Sequence, residues 1–180
     1  MLWRCKLIIA NSNKNNLDSG DSGYQKTILP DGRQKYEKFY KNGNIKERMW
    51  HQNNKLHRED GPAYERFLEN KNFEVRMWFQ NEKLHREDGP AYESFHENKI
   101  DAQVWCQNGK VHRDDGPAKE VFYENGSTEI REWRQNGNMH RDDGPALEGF
   151  DTEGKLIYAE YYLNNEKLAH EEWKKRVGKQ

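Results

Sequence analysis

Long apolar runs are missing from this chain: no run of apolar residues exceeds four. Four is too few for the core of a secretion signal or for a membrane span. Cysteine is scarce as well. Cys5 and Cys106 stand in unrelated contexts and form no Cys-x-x-Cys pair, which argues against a disulfide framework and a cysteine-built zinc site. Neither sign of charge predominates, with 30 Lys and Arg against 31 Asp and Glu and a formal net charge of -1. A nucleic-acid binder carries a basic stripe and an anionic-membrane binder a polybasic patch, so neither DNA nor membrane is an expected partner. Apolar residues make up only 33% of the 180, and charged residues 34%. A compact globule normally uses more apolar residues; a thin sheet that buries one face needs fewer. The expected setting is soluble, reducing and cytoplasmic.

What the chain has is repetition. His-Arg-Glu/Asp-Asp-Gly-Pro-Ala occurs four times, at His57–Ala63, His85–Ala91, His112–Ala118 and His140–Ala146. Its histidines, and the tryptophans Trp50, Trp78, Trp105 and Trp133 before them, stand 28, 27 and 28 residues apart. A fixed period of this size marks a repeat array, each unit too thin to bury its own face. A Phe column, Phe39, Phe67, Phe95, Phe122 and Phe150, keeps the same step. The outer units are degraded. The first begins at Pro30-Asp31-Gly32, and the last has Tyr162 for Trp and Ala169 for His.

Each unit holds two turn signals and a break. Asn42-Gly43, Asn70-Lys71, Asn98-Lys99, Asn125-Gly126 and Glu153-Gly154 form one set; Asn53-Asn54, Asn81-Glu82, Asn108-Gly109, Asn136-Gly137 and Asn165-Glu166 the other. Asn-Gly suits a type I′ turn, in which both central residues have positive φ. Asp-Gly-Pro then ends the strand, because proline lacks the amide donor. The unit reads as strand, turn, strand, turn, strand, corner. No sustained 3.6-residue period argues for helix before Leu168. The expectation is an all-β, elongated antiparallel β-meander of about four 28-residue repeats with a short C-terminal capping helix. Residues 1–26 would be an N-terminal segment, a possible strand over 1–10 and then a polar flexible linker. Residues 27–167 would be the hairpin repeats, and 168–180 the helical cap.

Strand alternation assigns faces. Glu65 falls opposite Arg76 and Ala63 opposite Trp78; continuing across the second turn, Trp78 meets His85 and Arg76 meets Glu87. The same arithmetic groups Glu37, Arg48 and Glu59, and Glu120, Arg131 and Asp142. In the third unit Gln103 replaces the arginine, opposite Asp114, and Glu160 takes that place in the last. The third unit is one residue short, so its first hairpin must shift register or bulge to bring Glu93 alongside. The opposite face, Tyr64, Arg66, Met77, Phe79, Leu84 and Arg86, varies between units: the Phe79 position becomes Cys106 and Arg134, the Met77 position Val104 and Glu132. The repeated face is expected to define the packing, and the variable one to meet solvent or a partner. A side chain at Gly116 (Gly116→Val) should then destabilise more than loss of Lys119 (Lys119→Ala).

The chemistry points away from an enzyme. Equivalent histidines lie two strands apart, roughly 10 Å, too far to share a metal ion bound at about 2.0–2.1 Å per nitrogen. The His-Arg-Asp triplet lacks the rest of a kinase catalytic set. Asp114-Asp115 and Asp142-Asp143 are strand end plus turn rather than an acid/base pair. No nucleophile motif is present, and no catalytic residue, metal or cofactor is expected. The candidate binding residues are Trp50, His57, Trp78, His85, Arg86, Trp105, His112, Arg113, Trp133 and His140, whose aromatic and guanidinium groups could stack on a ligand base or glue repeat to repeat.

The pattern Trp-x-x-Asn-Gly-Lys-x-His-Arg-Asp-Asp-Gly-Pro-Ala, complete from Trp105 to Ala118, resembles divergent MORN-type repeat proteins. The ending Asn165-Glu166-Lys167-Leu168-Ala169-His170-Glu171-Glu172-Trp173 is similar to the closing segment of such arrays, with Glu166 and Trp173 as departures. This variety is associated with bacteriophages, giant viruses and some bacteria. The resemblance covers residues 30–175 and implies a β-meander used for binding or scaffolding, in a host cytoplasm or virion if the source is viral. The expected function is a non-enzymatic scaffold that engages a protein partner, or a second copy, through an extended sheet face. The alternative is a module that sequesters a small nucleotide and so counters host signalling.

Overall fold

The computed structural model describes residues 23–69 and 73–178. The strand expected over residues 1–10, most of the linker, Cys5 and the Asn70-Lys71 turn lie outside them. The chain lays β1 (Gln25–Ile28), β2 (Gln34–Phe39) and β3 (Ile45–Gln52) side by side, and β4 (Lys55–Leu56) folds back on the end of β3. The same sheet continues through β5 (Tyr64–Phe67) and β6 (Phe73–Met77). A detached two-residue ribbon follows, β7 (Phe79–Gln80) with β8 (Lys83–Leu84). Twice more the chain repeats this plan. β9 (Tyr92–His96) and β10 (Lys99–Val104) precede the ribbon of β11 (Cys106–Gln107) and β12 (Lys110–Val111). β13 (Lys119–Phe122) and β14 (Thr128–Glu132) precede β15 (Arg134–Gln135) and β16 (Asn138–Met139). β17 (Leu147–Phe150), β18 (Leu156–Leu163) and β19 (Glu166–Leu168) close the sheet, and α1 (His170–Val177) ends the chain. The result is one long antiparallel meander with a single short C-terminal helix. β1 takes in Gln25 and Lys26, counted above as linker.

The two kinds of turn differ in their backbone. The second turn of each unit is type I′, with positive φ at Asn53 and Asn54, Asn81 and Glu82, Asn108 and Gly109, and Asn136 and Gly137. In the last unit the turn falls on Asn164 and Asn165, one residue earlier than expected. At Asn42-Gly43, Asn125-Gly126 and Glu153-Gly154 only the glycine has positive φ. These first turns are the longer kind, a turn closed by a left-handed glycine and followed by a bulge; the register skips Lys46, Glu129 and Ile157. The third unit instead uses a two-residue turn at Glu97-Asn98, both with positive φ, one residue earlier than the expected Asn98-Lys99. That replacement accounts for the missing residue, and a bulge at Asp101 restores the register, so Gln103 still faces Glu93.

The unit's third strand leaves the sheet, which overturns the expected three-strand row. Each strand forks at its tryptophan. The N–H groups of Trp50, Trp78, Trp105 and Trp133 donate at 2.8–2.9 Å to the carbonyls of Ala63, Ala91, Ala118 and Ala146, on the next long strand. Their carbonyls accept from His57, His85, His112 and His140 at 2.9–3.1 Å, in the unit's own ribbon. One edge of the peptide plane thus belongs to the long sheet and the other to the ribbons. Ribbons in turn bond to one another: Arg86 N–H to the Cys106 carbonyl at 3.2 Å, and Gly109 N–H to that of Leu84 at 2.9 Å, with counterparts in every other unit.

Arg76 therefore lies between Glu65 and Glu93, not Glu87. The expected triads become one continuous row, Glu37, Arg48, Glu65, Arg76, Glu93, Gln103, Glu120, Arg131, Glu148 and Ala159, one residue per strand. Glu59, Asp114 and Asp142 are not in it, and Ala159 rather than Glu160 ends it.

The expectation about faces is also corrected. The core lies on the variable face, where Tyr64, Val75, Met77, Phe79, Leu84, Tyr92, Val104 and Cys106 are buried together between long sheet and ribbons. The ribbons cover the part of that face that holds these residues, so they meet one another rather than solvent, while Arg66 on the same face stays exposed. The hydrophobic effect is non-directional and accepts Phe79 exchanged for Cys106 if neighbours adjust. Directional polar contacts on the other face need the same groups in the same places.

Candidate functional site: the repeated corner

The His-Arg-x-Asp-Gly-Pro-Ala segment spans the fork, and each of its residues has a job. The Arg58, Arg86, Arg113 and Arg141 guanidinium carbons lie 4.1, 4.1, 4.1 and 3.8 Å from the ring centres of Trp50, Trp78, Trp105 and Trp133. Such a contact contributes roughly 0.5–2 kcal/mol. The Nε of each donates to the aspartate two residues on, Asp60, Asp88, Asp115 or Asp143, at 2.6–2.9 Å. One Nη donates to the proline carbonyl at 3.1–3.4 Å. A Cβ on Gly61, Gly89 or Gly144 would stand 2.9 Å from that guanidinium carbon, and on Gly116 3.1 Å. A side chain there would crowd the arginine rather than strain the backbone. The alanines are 0% exposed, held where the sheet forks.

The histidines staple one unit to the next. Nδ1 of His57, His85, His112 and His140 accepts the backbone N–H of Asn81, Asn108, Asn136 and Asn164 at 3.1–3.2 Å. An accepting Nδ1 carries no proton, which assigns the proton to Nε2. Nε2 lies 3.5, 3.7, 3.4 and 3.2 Å from Glu59, Glu87, Asp114 and Asp142. Each imidazole thus serves a different turn. Among the described residues, no three His, Cys, Asp or Glu side chains converge as metal ligands.

Corner and charge row meet. Arg86 lies 3.6 Å from Glu93 and Arg141 3.4 Å from Glu148. Arg48 lies 3.5 Å from Glu37 and 3.3 Å from Glu65, while its Nε and Glu65 Oε2 make no hydrogen bond. Burial accordingly pushes the Glu65 and Glu93 carboxyls above the usual range, against the pull of the neighbouring arginines. The row's arginines also face the Phe column: Arg48 over Phe67, Arg76 over Phe95 and Arg131 over Phe150, at 4.8–5.6 Å.

At the corners the order reverses. Hydrogen bonds from arginine hold Asp60, Asp88 and Asp115 below the usual carboxylate range. For Asp60 the first cause is not Arg58 but Arg33, from the unit that lacks the motif.

Trp50, Trp78, Trp105 and Trp133 are therefore each joined to the Arg and His of their own unit, Arg86 and Arg113 included. The ten expected residues line the array rather than meet at one point. The pattern in the sequence contained more than that reading took from it. Arg58 and Arg141 lie over their tryptophans as Arg86 and Arg113 do, and the aspartates and proline carbonyls complete the set. The signal was the unvarying Arg-x-Asp-Gly-Pro spacing, read as turn chemistry alone. Compared with protein-family models, with curated proteins and with solved structures, the chain finds no match.

Proposed function

We propose that this protein is a non-enzymatic scaffold of the MORN-like repeat kind, which engages a protein partner along the sheet face that carries the corners and the charge row. The observation that carries this reading is the division between faces. Apolar side chains fill the interior between sheet and ribbons, while the outer face repeats one pattern of tryptophan, arginine and carboxylate at every unit. Eleven long strands at about 4.8 Å spacing give that face a length of roughly 48 Å. A lattice of identical groups suits an extended partner rather than a single substrate, which calls for one asymmetric pocket.

The second reading, nucleotide sequestration, draws on the same Trp and Arg residues. It has less support. Each indole already faces its own arginine at 3.8–4.1 Å, and the outermost groups are carboxylates, which repel phosphate. A cytoplasmic site of action fits the scarcity of cysteine in the chain. No helix among the described residues is long and apolar enough to cross a membrane.

Co-purification of the tagged full chain from its native source, followed by mass spectrometry, tests the reading. The expected result is a stoichiometric protein partner lost on reversing the row with Arg76→Glu and Arg131→Glu. Recovery of the chain alone under every condition overturns it. A thermal-shift screen with nucleotides is expected to give no stabilisation; a clear rise with one nucleotide favours the second reading.

A further inference from the structure

A groove runs between the third and fourth corners, and the repeat places Asp88 and Asp115 at the equivalent positions of the two corners before it. It holds about 520 Å³ and is lined by Asp115, Pro117, Trp133, His140 and Asp143 among others. The corresponding place before the first corner is filled. Arg33, from the β1–β2 turn, reaches across it. Its Nη1 and Nη2 bond the two oxygens of Asp60 at 2.8 and 3.3 Å, while its Nε holds Asp31 at 2.7 Å. Trp50 at that corner is 7% exposed, whereas Trp78, Trp105 and Trp133 are only half-buried.

The carboxylates show the same difference. The Asp60 side chain is 57% exposed under Arg33, but those of Asp88, Asp115 and Asp143 are 85%, 83% and 82% exposed. Each of these three already satisfies its own Nε with one oxygen, and the outer side faces solvent. Each corner sets one arginine against two carboxylates, so each is formally one charge negative. The chain thus contains one guanidinium seated at the first corner and three like corners open.

We propose that the three open corners are seats for arginine side chains of a partner segment, one arginine per corner, each bonded to Asp88, Asp115 or Asp143 as Arg33 bonds Asp60. This rests on the protein-partner reading above and names the partner's chemistry. Arginine rather than lysine fits, because a planar fork can pair with both carboxylate oxygens, as Arg33 does at Asp60. Spacing sets the sequence. Successive corners are two strands apart, about 9.5 Å. A polyproline II segment rises about 3.1 Å per residue with three residues per turn. Every third side chain then points the same way at intervals of about 9.3 Å. The partner segment is therefore extended, with the pattern Arg-x-x-Arg-x-x-Arg.

Fluorescence anisotropy with the full chain tests this. A labelled peptide of three Arg-Pro-Ser triplets is expected to bind at least tenfold more tightly than three Arg-Pro-Ser-Ser quartets of equal charge. The lysine version of the triplet peptide is expected to be at least fivefold weaker. The combined variant Asp88→Asn, Asp115→Asn and Asp143→Asn should lose at least tenfold. The charge-matched variant Glu87→Gln, Asp114→Asn and Asp142→Asn should lose less than threefold. Equal losses in the two variants, or indifference to arginine spacing, overturn the proposal.

Arg33→Ala gives an independent reading should the aspartate variant fail to fold. It opens the fourth seat, so a peptide of four triplets should bind at least threefold more tightly and one of three triplets no differently. No change for either peptide overturns the equivalence of the corners. A native partner whose binding ignores the three aspartates overturns the arginine seats and leaves the scaffold reading intact. Absence of any partner, with no peptide binding, overturns both.

Discussion

His51 shows how one residue breaks the pattern and at what cost. It occupies the core position that holds Phe79 and Cys106 in later units, is buried against the edge of Tyr36 at 5.1 Å, and leaves its Nδ1 without a hydrogen bond. Burial holds its imidazole below the ordinary value of 6.5, with Glu82 and Lys26 acting in opposite directions. The fold therefore prefers the neutral ring. That stability is fully present above about pH 6.5 and is lost as the pH falls through that value toward the folded one. His51→Phe, matching Phe79, is expected to raise the melting temperature and to flatten its slope between pH 5 and 7. An unchanged slope would mean that His51 is not the group responsible.

The corner glycine makes a second argument at this scale. A valine at Gly116 would crowd Arg113, whose guanidinium carbon would stand 3.1 Å from the new Cβ, and weaken its contacts with Trp105 and Asp115, at a cost of about 1–3 kcal/mol. Lys119, chosen from the sequence as an indifferent comparison, is no such thing. Its Nζ bonds Glu132 at 2.6 Å, and Glu132 is 6% exposed with Arg134 as a second cation. Removing one partner from a buried ion pair costs several kcal/mol, so Lys119→Ala is expected to match or exceed Gly116→Val. The exposed Lys110 is the proper control. Melts of the three variants side by side check the order.

Among the elements, the long strands and their turns were the legible part. Glu65 opposite Arg76, and the bulge that rescues Gln103, followed from counting residues, because strand alternation has a fixed period. What counting missed was the fork. A ribbon strand two residues long shows no alternation, so nothing in the sequence said that His85–Glu87 leaves the long sheet while Tyr92–His96 takes its place. The faces were reversed for a related reason. Repetition here marks hydrogen bonds rather than packing: hydrogen bonds demand identical geometry, whereas the core keeps only approximate volume. One prediction belongs to this scale. Gln103 sits between Glu93 and Glu120, bonded to Glu120 at 2.8 Å, beside a Phe122 that no row arginine covers. Gln103→Arg restores the pattern of Arg48, Arg76 and Arg131. Two cross-strand pairs at roughly 0.2–1 kcal/mol each should raise stability by about 1 kcal/mol at low salt. The gain should shrink in 1 M salt as screening grows. A destabilised variant would show that the shortened unit has no room for the longer side chain.

The whole molecule behaves as a line, and a line is weakest at its ends. Interior units bond to neighbours on both sides through the long strands, the ribbons and the histidine staples, so their stability is shared. Toward the ends, Ile28 on β1 and Leu156, Ile157 and Tyr158 on β18 are exposed apolar residues, more exposed than or comparable with Leu68 and Ile100 in the interior. At the C-terminus α1 takes the place of a further repeat. Trp173 is buried, donates its Nε1–H to the Arg141 carbonyl at 3.1 Å and leans on Tyr161 at 4.9 Å; His170 stacks on the same tyrosine at 4.4 Å. Trp173→Ala removes the anchor and empties the space beneath it, a loss of about 3–5 kcal/mol for a buried aromatic. In a globule that loss would be felt everywhere. In a linear array it should be local. Amide hydrogen exchange is expected to rise strongly in β18, β19 and α1, moderately in β15–β17, and hardly at all in β5–β10. Uniform loss of protection from β2 to β19 would mean that the units fold as one indivisible body, and that nearest-neighbour coupling is the wrong description of this chain.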